Sequence, residues 1–266
     1  MKFDVFTEAD MAFLAPLEPE GWGDLQPRFR FFLDSPFCFP LKLMDAGHIA
    51  GLGAGIVFES TAWLACIIVH PAYRNRGLGA VITNQLIDCI DKSRIHTISL
   101  IAIDMGYPLY HKLGFIEAET YLHYQLNPLA LPLSVTDNII RFDEQYTEPL
   151  KQMDTIFSNE NRSALLNRYL QDSLLYVEEG ELKGYYIPGI SEGTIVASHP
   201  EAGLALMKIR MQEKQTIAFP EINTVARDRM KQAGIEPFRI SRRMYIGKKL
   251  EWKPELLFNR ISGQLG

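Results

Sequence analysis

The fold of this chain is decided by residues 67–80, which read Ile67-Ile68-Val69-His70-Pro71-Ala72-Tyr73-Arg74-Asn75-Arg76-Gly77-Leu78-Gly79-Ala80. An apolar run from Trp63 to Val69 leads into this stretch and predicts a buried strand. The strand is expected to end at His70-Pro71, because proline has no N–H group to donate to a ladder. A helix then begins near Gly77, since the following apolar residues recur on one face with the 3.6-residue period.

The turn between this strand and this helix contains two glycines, Gly77 and Gly79, and two arginines, Arg74 and Arg76. The first amide groups of a helix have no partners within the helix, and they share the positive end of its dipole. Glycine lets a ligand approach the backbone closely. The sequence therefore predicts an anion site at this turn, most naturally a site for phosphate.

The spacing Arg74-x-x-Gly77-x-Gly79-Ala80 resembles the R/Q-x-x-G-x-G/A signature of the GNAT superfamily of acyl-CoA-dependent N-acyltransferases. About thirty residues later, the run Leu109 to Phe115 (LYHKLGF) resembles the segment that closes the active site in that family. The resemblance covers about the first 125 residues. It implies a mixed α/β (α+β) fold, in which a mostly antiparallel central sheet is flanked by helices. A glycine turn that merely joins a strand to a helix is the structural alternative.

In the GNAT superfamily the backbone of this turn holds the CoA pyrophosphate, so the resemblance implies acetyl-CoA as co-substrate. The implied CoA contacts are Ile67, Ile68, Val69, Arg74, Asn75, Arg76, Gly77, Leu78, Gly79 and Ala80. A backbone N–H freed where the central strand leaves its ladder, near Ile68 or Val69, would stabilise the oxyanion. Tyr110 stands at the family's general-acid position, and a phenol with a pKa of about 10 is protonated at neutral pH. The alternative for Tyr110 is a ring packed under Phe115.

The general base is less well determined by the sequence. Glu59 precedes the central strand and Asp104 follows the next strand, so both are candidate bases near the expected cleft. Each could equally be a solvated turn carboxylate. His70 has a suitable ordinary pKa. However, His-Pro recurs as His199-Pro200, where no CoA loop follows, and we therefore expect a structural role for His70.

Aromatic residues are the candidates for the acceptor pocket. Trp22, Phe31 and Phe32 lie in the region that roofs the acceptor site in the resembling family, and Tyr107 precedes the Tyr110 segment. Large aromatic side chains also serve as core residues. The expected reaction is direct transfer, in a ternary complex, to a primary amine of a small molecule, an amino acid or a protein. The alternative is a non-catalytic acyl-CoA sensor or scaffold, but such a protein needs no proton donor like Tyr110.

The second half of the chain repeats the pattern of the first. Three pairs of segments match: Leu41 to Gly51 with Leu175 to Gly184, His70-Pro71 with His199-Pro200, and Lys112 to Glu117 with Lys231 to Glu236. The phosphate loop is not repeated, and Glu201 stands in its place. We expect a catalytic domain (1–126), a linker (127–137), a degenerate GNAT-like domain (138–249) and a C-terminal tail (250–266). The second domain would shape the acceptor site or form an interface, such as a homodimer contact.

Composition limits the expected partners and location. The net charge is −5 and no dense basic block occurs, so we expect neither a nucleic-acid nor a membrane partner. The basic stretch from Arg239 to Lys249 is expected to be a solvated strand edge. The odd number of cysteines, Cys38, Cys66 and Cys89, favours buried thiols in a reducing cytoplasm over disulfides.

Targeting and metal signals are missing from the sequence. The N-terminus lacks an apolar signal core, and no stretch approaches about eighteen consecutive apolar residues. No group of His, Cys, Asp and Glu residues has metal-ligand spacing, so no metal is expected. We expect a cytoplasmic protein.

Overall fold

The computed structural model of this protein describes residues 1–126 and 137–266. The elements of the first half are β1 (Lys2–Val5), α1 (Gln26–Leu33), β2 (Cys38–Asp45), β3 (His48–Val57), β4 (Thr61–Val69), α2 (Leu78–Asp88), β5 (Thr97–Ala102), α3 (Tyr107–Lys112) and β6 (Ile116–Gln125). Those of the second half are β7 (Ile139–Arg141), α4 (Thr147–Ser158), α5 (Ser163–Leu166), β8 (Leu174–Glu178), β9 (Glu181–Ile187), β10 (Thr194–Ala197), α6 (Pro200–Glu213), β11 (Thr216–Pro220), α7 (Thr224–Gln232), β12 (Pro237–Gly247) and β13 (Leu257–Asn259).

These elements form two compact units, each built from separate pieces of the chain. The first unit contains Met1–Leu100, Gly106–Ile116 and Tyr245–Lys249. The second unit contains Ile101–Met105, Glu117–Met244 and Leu250–Gly266. The contiguous domain boundaries expected from the sequence stay a prediction, and nearly all of the expected linker lies outside the described residues.

The first unit is built on a mixed sheet in which β1, β2, β3 and β4 are successive antiparallel neighbours. Strands β4 and β5 run parallel, in register from Thr61↔Thr97 to Trp63↔Ser99. The β2–β3 turn consists of Ala46 and Gly47, both with positive φ (45° and 84°), as a two-residue type I′ hairpin requires. The mixed, mostly antiparallel sheet flanked by helices is therefore confirmed.

Glycines at alternate positions of β3 let helix α2 lie close to the sheet. A Cβ atom on Gly51 would lie 2.5 Å from Ile82 Cδ1, and one on Gly53 would lie 2.8 Å from Leu86 Cδ1. Ile82 and Leu86 are themselves buried on the inner face of α2. The sequence analysis did not single out these glycines, although glycine within a strand is a recognised sign of close backbone approach. The close packing of α2 on β3 fixes where the helix begins.

We expect Gly53→Ala to destabilise the protein by about 1–3 kcal/mol, because the new methyl group overpacks a filled interface. Urea unfolding measures this loss. The double variant Gly53→Ala/Leu86→Ala tests the cause, since it removes the clashing methyl of Leu86. Its destabilisation should be smaller than the sum of the two single effects. Additive effects would mean that the clash with Leu86 is not what makes Gly53 necessary, and would leave Ile82, whose Cγ2 lies 2.9 Å from the Cβ position.

The second unit contains the sheet β13-β10-β9-β8-β7 and the antiparallel pair of β6 with β11. Its β8–β9 turn repeats the geometry of the β2–β3 turn, with Glu179 at φ 51° and Gly180 at φ 81°. A register irregularity precedes the turn at the same relative position in both hairpins, at Leu43/Met44 and at Tyr176/Val177. This agreement supports the duplication inferred from the sequence, and a tandem arrangement is confirmed.

The ends of α3 and α7 also match. Gly114 (φ 90°) ends α3 and Gly234 (φ 70°) follows α7. In each case the next residue donates its N–H to a carbonyl five residues earlier, from Phe115 to Tyr110 and from Ile235 to Met230, both at 3.0 Å. The match of Lys112 to Glu117 with Lys231 to Glu236 therefore extends to the backbone hydrogen bonds.

One expectation about side-chain environment is wrong, and another holds in part. The basic stretch is not solvated along its length, because Ser241 is fully buried and hydrogen-bonded to His123 of β6 at 2.8 Å, and Arg243 is only 4% exposed. A long-range partner, not local polarity, decides the environment of this strand. Of the three free cysteines, Cys66 is buried and Cys38 half-buried, but Cys89 at the end of α2 is exposed.

Candidate functional site

The turn between β4 and α2 has the backbone shape of an anion-binding loop. Asn75 (φ 62°) and Gly77 (φ 74°) are both left-handed, and Gly77 caps the N-terminus of the eleven-residue helix α2. Residues Arg74, Asn75, Arg76 and Gly77 are exposed. Successive residues with such alternating conformations turn their N–H groups towards one side and form a concave nest for an anion.

The amides of this loop are available to a ligand. Within the described part of the chain, the N–H groups of residues 75–79 make no hydrogen bond, and the first helical bond is from Ala80 N–H to the Gly77 carbonyl, at 3.1 Å. The guanidinium of Arg76 lies 5.3 Å from the centre of the Tyr73 ring, and Arg74 Nε donates to the Val69 carbonyl at 3.3 Å. Unpaired amides, a helix dipole and two cations together favour a phosphate-sized anion.

The two loop glycines have different roles. Space around the position of a Gly77 Cβ is open, so the left-handed backbone is what requires glycine there. A Cβ on Gly79 would lie 3.0 Å from Leu109 Cδ2, so Gly79 lets helix α3 approach α2. The second role was not foreseen from the sequence, which assigned both glycines to the phosphate alone.

His70 has the structural role expected of it. Its Nδ1 accepts a hydrogen bond from the Ala72 N–H at 3.2 Å, which caps the 3-10 turn Pro71–Tyr73. The backbone N–H of His70 donates to the Ala50 carbonyl at 3.0 Å and so continues the pairing with β3. Because Nδ1 already accepts the capping hydrogen bond, this imidazole stabilises the turn that leads into the loop.

Strand β4 is bulged where the sequence places a freed amide. Leu52 pairs with Ile68 and Ala54 with Ala65, so Cys66 and Ile67 together stand opposite Gly53. Cys66 has φ 48°, a left-handed conformation that a non-glycine residue rarely adopts. The last residue of β4 paired with β5 is Trp63, and β4 continues from there to Val69. The bulge therefore lies one or two residues before the predicted point, at Cys66 and Ile67.

Tyr110 lies in the same unit as the loop, on helix α3. Its half-buried ring meets Phe115 edge-on, with ring centres 5.9 Å apart. Burial, with a smaller contribution from the Cys66 thiol, raises the pKa of the Tyr110 phenol well above its usual 10. The phenol makes no hydrogen bond to the described residues. The packing and the acid hypotheses are thus compatible, because the ring packs while the hydroxyl keeps its proton.

The two candidate bases lie in different surroundings. Glu59 is exposed in the turn before β4, and the loop follows the other end of that strand. At about 3.3 Å per residue the two ends of β4 are roughly 26 Å apart. Asp104 belongs to the second unit, where its largely exposed carboxylate accepts from Arg242 Nη1 at 2.7 Å. Glu59 therefore lies at the end of β4 away from the loop, and the role of Asp104 as the base stays a prediction.

The proposed acceptor aromatics have mixed environments. Trp22 and Phe31 are half-buried, and Phe31 contacts Phe32 and Phe37 with ring centres 5.8 and 6.2 Å apart. Phe32 is only 1% exposed and belongs to the core. Tyr107 begins α3 and stacks obliquely on His111 at 6.1 Å. Trp22, Phe31 and Tyr107 thus keep partly accessible ring surface, whereas Phe32 does not.

Residues 1–126 and 137–266 contain neither a metal-binding group nor a membrane-spanning helix. No group of three or more His, Cys, Asp or Glu residues within these ranges is placed to hold a metal ion. None of the helices described in the structure has both the length and the apolar character needed to cross a membrane.

Sequence comparison finds relatives for part of the chain. Residues 4–115 match the model of the acetyltransferase (GNAT) family. The chain is also 38% identical over 60 residues to the uncharacterized N-acetyltransferase ycf52 of Porphyra purpurea, and equally to that of Pyropia yezoensis. This match covers 23% of the chain and 33% of each relative, so the chain spans about one third of the length of these curated relatives.

Structural comparison extends over the whole chain. A protein of Pyrococcus horikoshii, provisionally assigned as an acetyltransferase, superposes with a TM-score of 0.84 at 20% identity, covering 100% of this chain and 95% of that one. A tandem GNAT protein from the clavulanic acid biosynthesis pathway superposes with a TM-score of 0.62 at 14% identity, covering 94% and 99%. At these identities the two likenesses establish the fold alone.

Proposed function

We propose, from the match of residues 4–115 to the acetyltransferase (GNAT) family model, that the chain is an N-acyltransferase. It transfers an acetyl group from acetyl-CoA directly to a primary amine of a small molecule, an amino acid or a protein, with both substrates bound in a ternary complex. The observation that carries the proposal is the loop of unbonded amides, residues 75–79, at the start of α2. This loop suits the CoA pyrophosphate by charge, shape and access.

The chain's own groups suit the chemistry of acyl transfer. A backbone N–H just beyond the bulge of β4, near Ile68 or Val69, would donate to the carbonyl oxygen as negative charge develops on it. Tyr110 would donate a hydrogen bond to the departing sulfur. Its raised pKa keeps the phenol protonated but makes it a weak acid, so the hydrogen bond itself supplies most of the stabilisation.

The second half of the chain is proposed to bind no CoA. Helix α6 begins directly at Pro200, and its cap His199 is extended (φ −126°), so no left-handed loop precedes the helix. Glu201 is exposed in the first turn and would repel a pyrophosphate. A binding stoichiometry of one acetyl-CoA per chain is expected, and two would contradict this proposal.

Release of free CoA tests the proposed activity. Purified protein is incubated with acetyl-CoA and a pooled library of primary amines, and the free thiol is measured. Thiol release that depends on an amine supports transfer. Tight acetyl-CoA binding without release in any amine pool would favour the alternative, a sensor or scaffold.

Tyr110→Phe should lower kcat by about a hundredfold, because one positioned proton donor is lost. The affinity for acetyl-CoA should stay nearly unchanged, because the loop is untouched. Steady-state kinetics together with calorimetric titration separate the two effects. The matched control is Tyr73→Phe, which removes a hydroxyl from the partly exposed loop tyrosine. Wild-type turnover in Tyr110→Phe would leave Tyr110 as a packing residue only.

A further inference from the structure

The segment Tyr245–Lys249 belongs to the first unit although it comes from the far end of the chain. Two hydrogen bonds attach it to the start of β5. The N–H of Lys248 donates to the His96 carbonyl at 2.8 Å, and the hydroxyl of Thr97 donates to the Lys248 carbonyl at 2.6 Å. Thr97 is only 3% exposed, so its hydroxyl has little access to water as a substitute partner. The segment is thus fixed at one end.

Gly247 restrains the same segment through its backbone conformation and its close approach to β5. Its φ of 94° is a conformation that side chains rarely adopt. A Cβ at this position would lie 2.3 Å from the His96 carbonyl oxygen and 3.2 Å from the His96 carbonyl carbon. The neighbours are backbone atoms, which cannot move aside as a flexible side chain would. The segment therefore lies against β5 in a single register.

Ile246 connects this segment to helix α3 by a side-chain contact. The Cδ1 of Ile246 lies 3.8 Å from where a Cβ of Gly114 would be, so the isoleucine packs beside the glycine that ends α3. Gly114 N–H donates to the His111 carbonyl at 3.1 Å, and Phe115 N–H donates to the Tyr110 carbonyl at 3.0 Å. One continuous set of contacts thus leads from β5 through Ile246 to the backbone of Tyr110.

We propose that Ile246 is a positioning residue for Tyr110, which it holds in place by packing against Gly114 at the end of α3. The proposal rests on the proposed function. It adds that a residue from the far end of the chain sets the geometry of the proton donor. Ile246 itself touches no substrate.

A pair of isoleucines on β12 provides a matched test in the full chain. Ile246→Ala removes the contact with Gly114 and leaves the backbone bonds of the segment in place. Ile240→Ala removes the same atoms from another half-buried position of β12, which packs on the core of the second unit. Both should lose similar stability. Only Ile246→Ala should lower kcat, by about tenfold, through misplacement of a catalytic group, with KM for acetyl-CoA unchanged. Ile246→Val should restore most of the rate.

A second measurement does not depend on activity. The phenolate absorbance of each protein is compared with that of its Tyr110→Phe derivative, which isolates the titration of Tyr110. Cys66 of β4 also faces the phenol, and Tyr107 and His111 flank it on α3. At about pH 11 the wild type should show no Tyr110 phenolate, whereas Ile246→Ala admits water and should show some.

The two readouts separate failure of the proposal from failure of the proposed function. If no amine is acetylated by the wild type, the function is wrong, and the titration alone still decides the role of Ile246. If Tyr110 titrates identically in the wild type and in Ile246→Ala, or if Ile240→Ala lowers kcat as much as Ile246→Ala, the positioning role is overturned.

Discussion

A chain carrying Gly77→Glu is expected to lose acetyl-CoA binding, with Kd raised by more than about a hundredfold, while it remains folded. Space around the position of the new Cβ is open, so the side chain enters without a clash. Its carboxylate then lies among the N–H groups of residues 75–79. There it takes the place of the pyrophosphate as hydrogen-bond acceptor, and its negative charge repels the pyrophosphate. Calorimetric titration with acetyl-CoA measures the loss. Gly79→Glu is a poorer test, because it would also press on Leu109.

Gly180→Glu is the matched control for this prediction. Gly180 has φ 81°, close to the 74° of Gly77, and space around its Cβ position is equally open. It lies in the β8–β9 turn of the second unit, outside the loop. The two variants therefore carry similar backbone strain and the same added charge. Equal loss of affinity in both would point to strain or net charge, and unchanged affinity in folded Gly77→Glu would remove the loop from the CoA site.

Local sequence signals predicted local structure well. The acidic turns of both hairpins, the proline that ends β4 and the glycine that starts α2 each act through the backbone conformation of a few neighbouring residues. The same holds for Thr7, whose backbone N–H and hydroxyl both donate to the carboxylate of Asp10 three residues later, at 2.7 and 2.8 Å. Such features depend on no distant residue. They could therefore be predicted without knowledge of the tertiary structure.

Features that depend on distant partners could not be predicted in this way. Strand β12 is rich in arginine, and nothing within it shows that Lys248 will bond to His96. Arg162 and Arg260 are buried because Asp154 and Glu192 pair with them at 2.6 and 2.9 Å, and a buried charge needs such a partner. The charges of these residues predict exposure when each is considered alone. Only the fold brings the partners together.

In the candidate site, too, features set by neighbouring residues could be predicted and features set by distant residues could not. The loop was predicted residue by residue, because strand, turn and helix are contiguous there. Glu59 and Asp104 were chosen only because each adjoins the end of a strand in the sequence, and the identity of the base stays a prediction. The left-handed Cys66 has no sequence signal at all, since cysteine does not favour that conformation. The bulge at Cys66 and Ile67 was accordingly not predicted, and the freed amide near Ile68 or Val69 stays a prediction.

A chain that ends at Leu131 is expected not to fold into a stable acetyl-CoA-binding unit. The expectation follows from the composition of the first unit, which includes Tyr245–Lys249. Without that segment, the His96 carbonyl and the buried Thr97 hydroxyl lose their partners, and the edge of β5 is left bare. A bare, apolar strand edge promotes association between chains. Circular dichroism, thermal unfolding and size-exclusion chromatography of the shortened chain measure the outcome.

Complementation identifies the segment as the cause. A second fragment, residues 132–266, is expected to restore folding and acetyl-CoA binding when it is refolded together with residues 1–131. The same fragment with Gly247→Val should fail, because its side chain would overlap the His96 carbonyl oxygen, 2.3 Å from the Cβ position. Gly234→Val in the fragment is the control, since Gly234 is also left-handed (φ 70°) but has open space around its Cβ position. A stable, monomeric 1–131 fragment that binds acetyl-CoA unaided would show that the first unit does not need the far end of the chain.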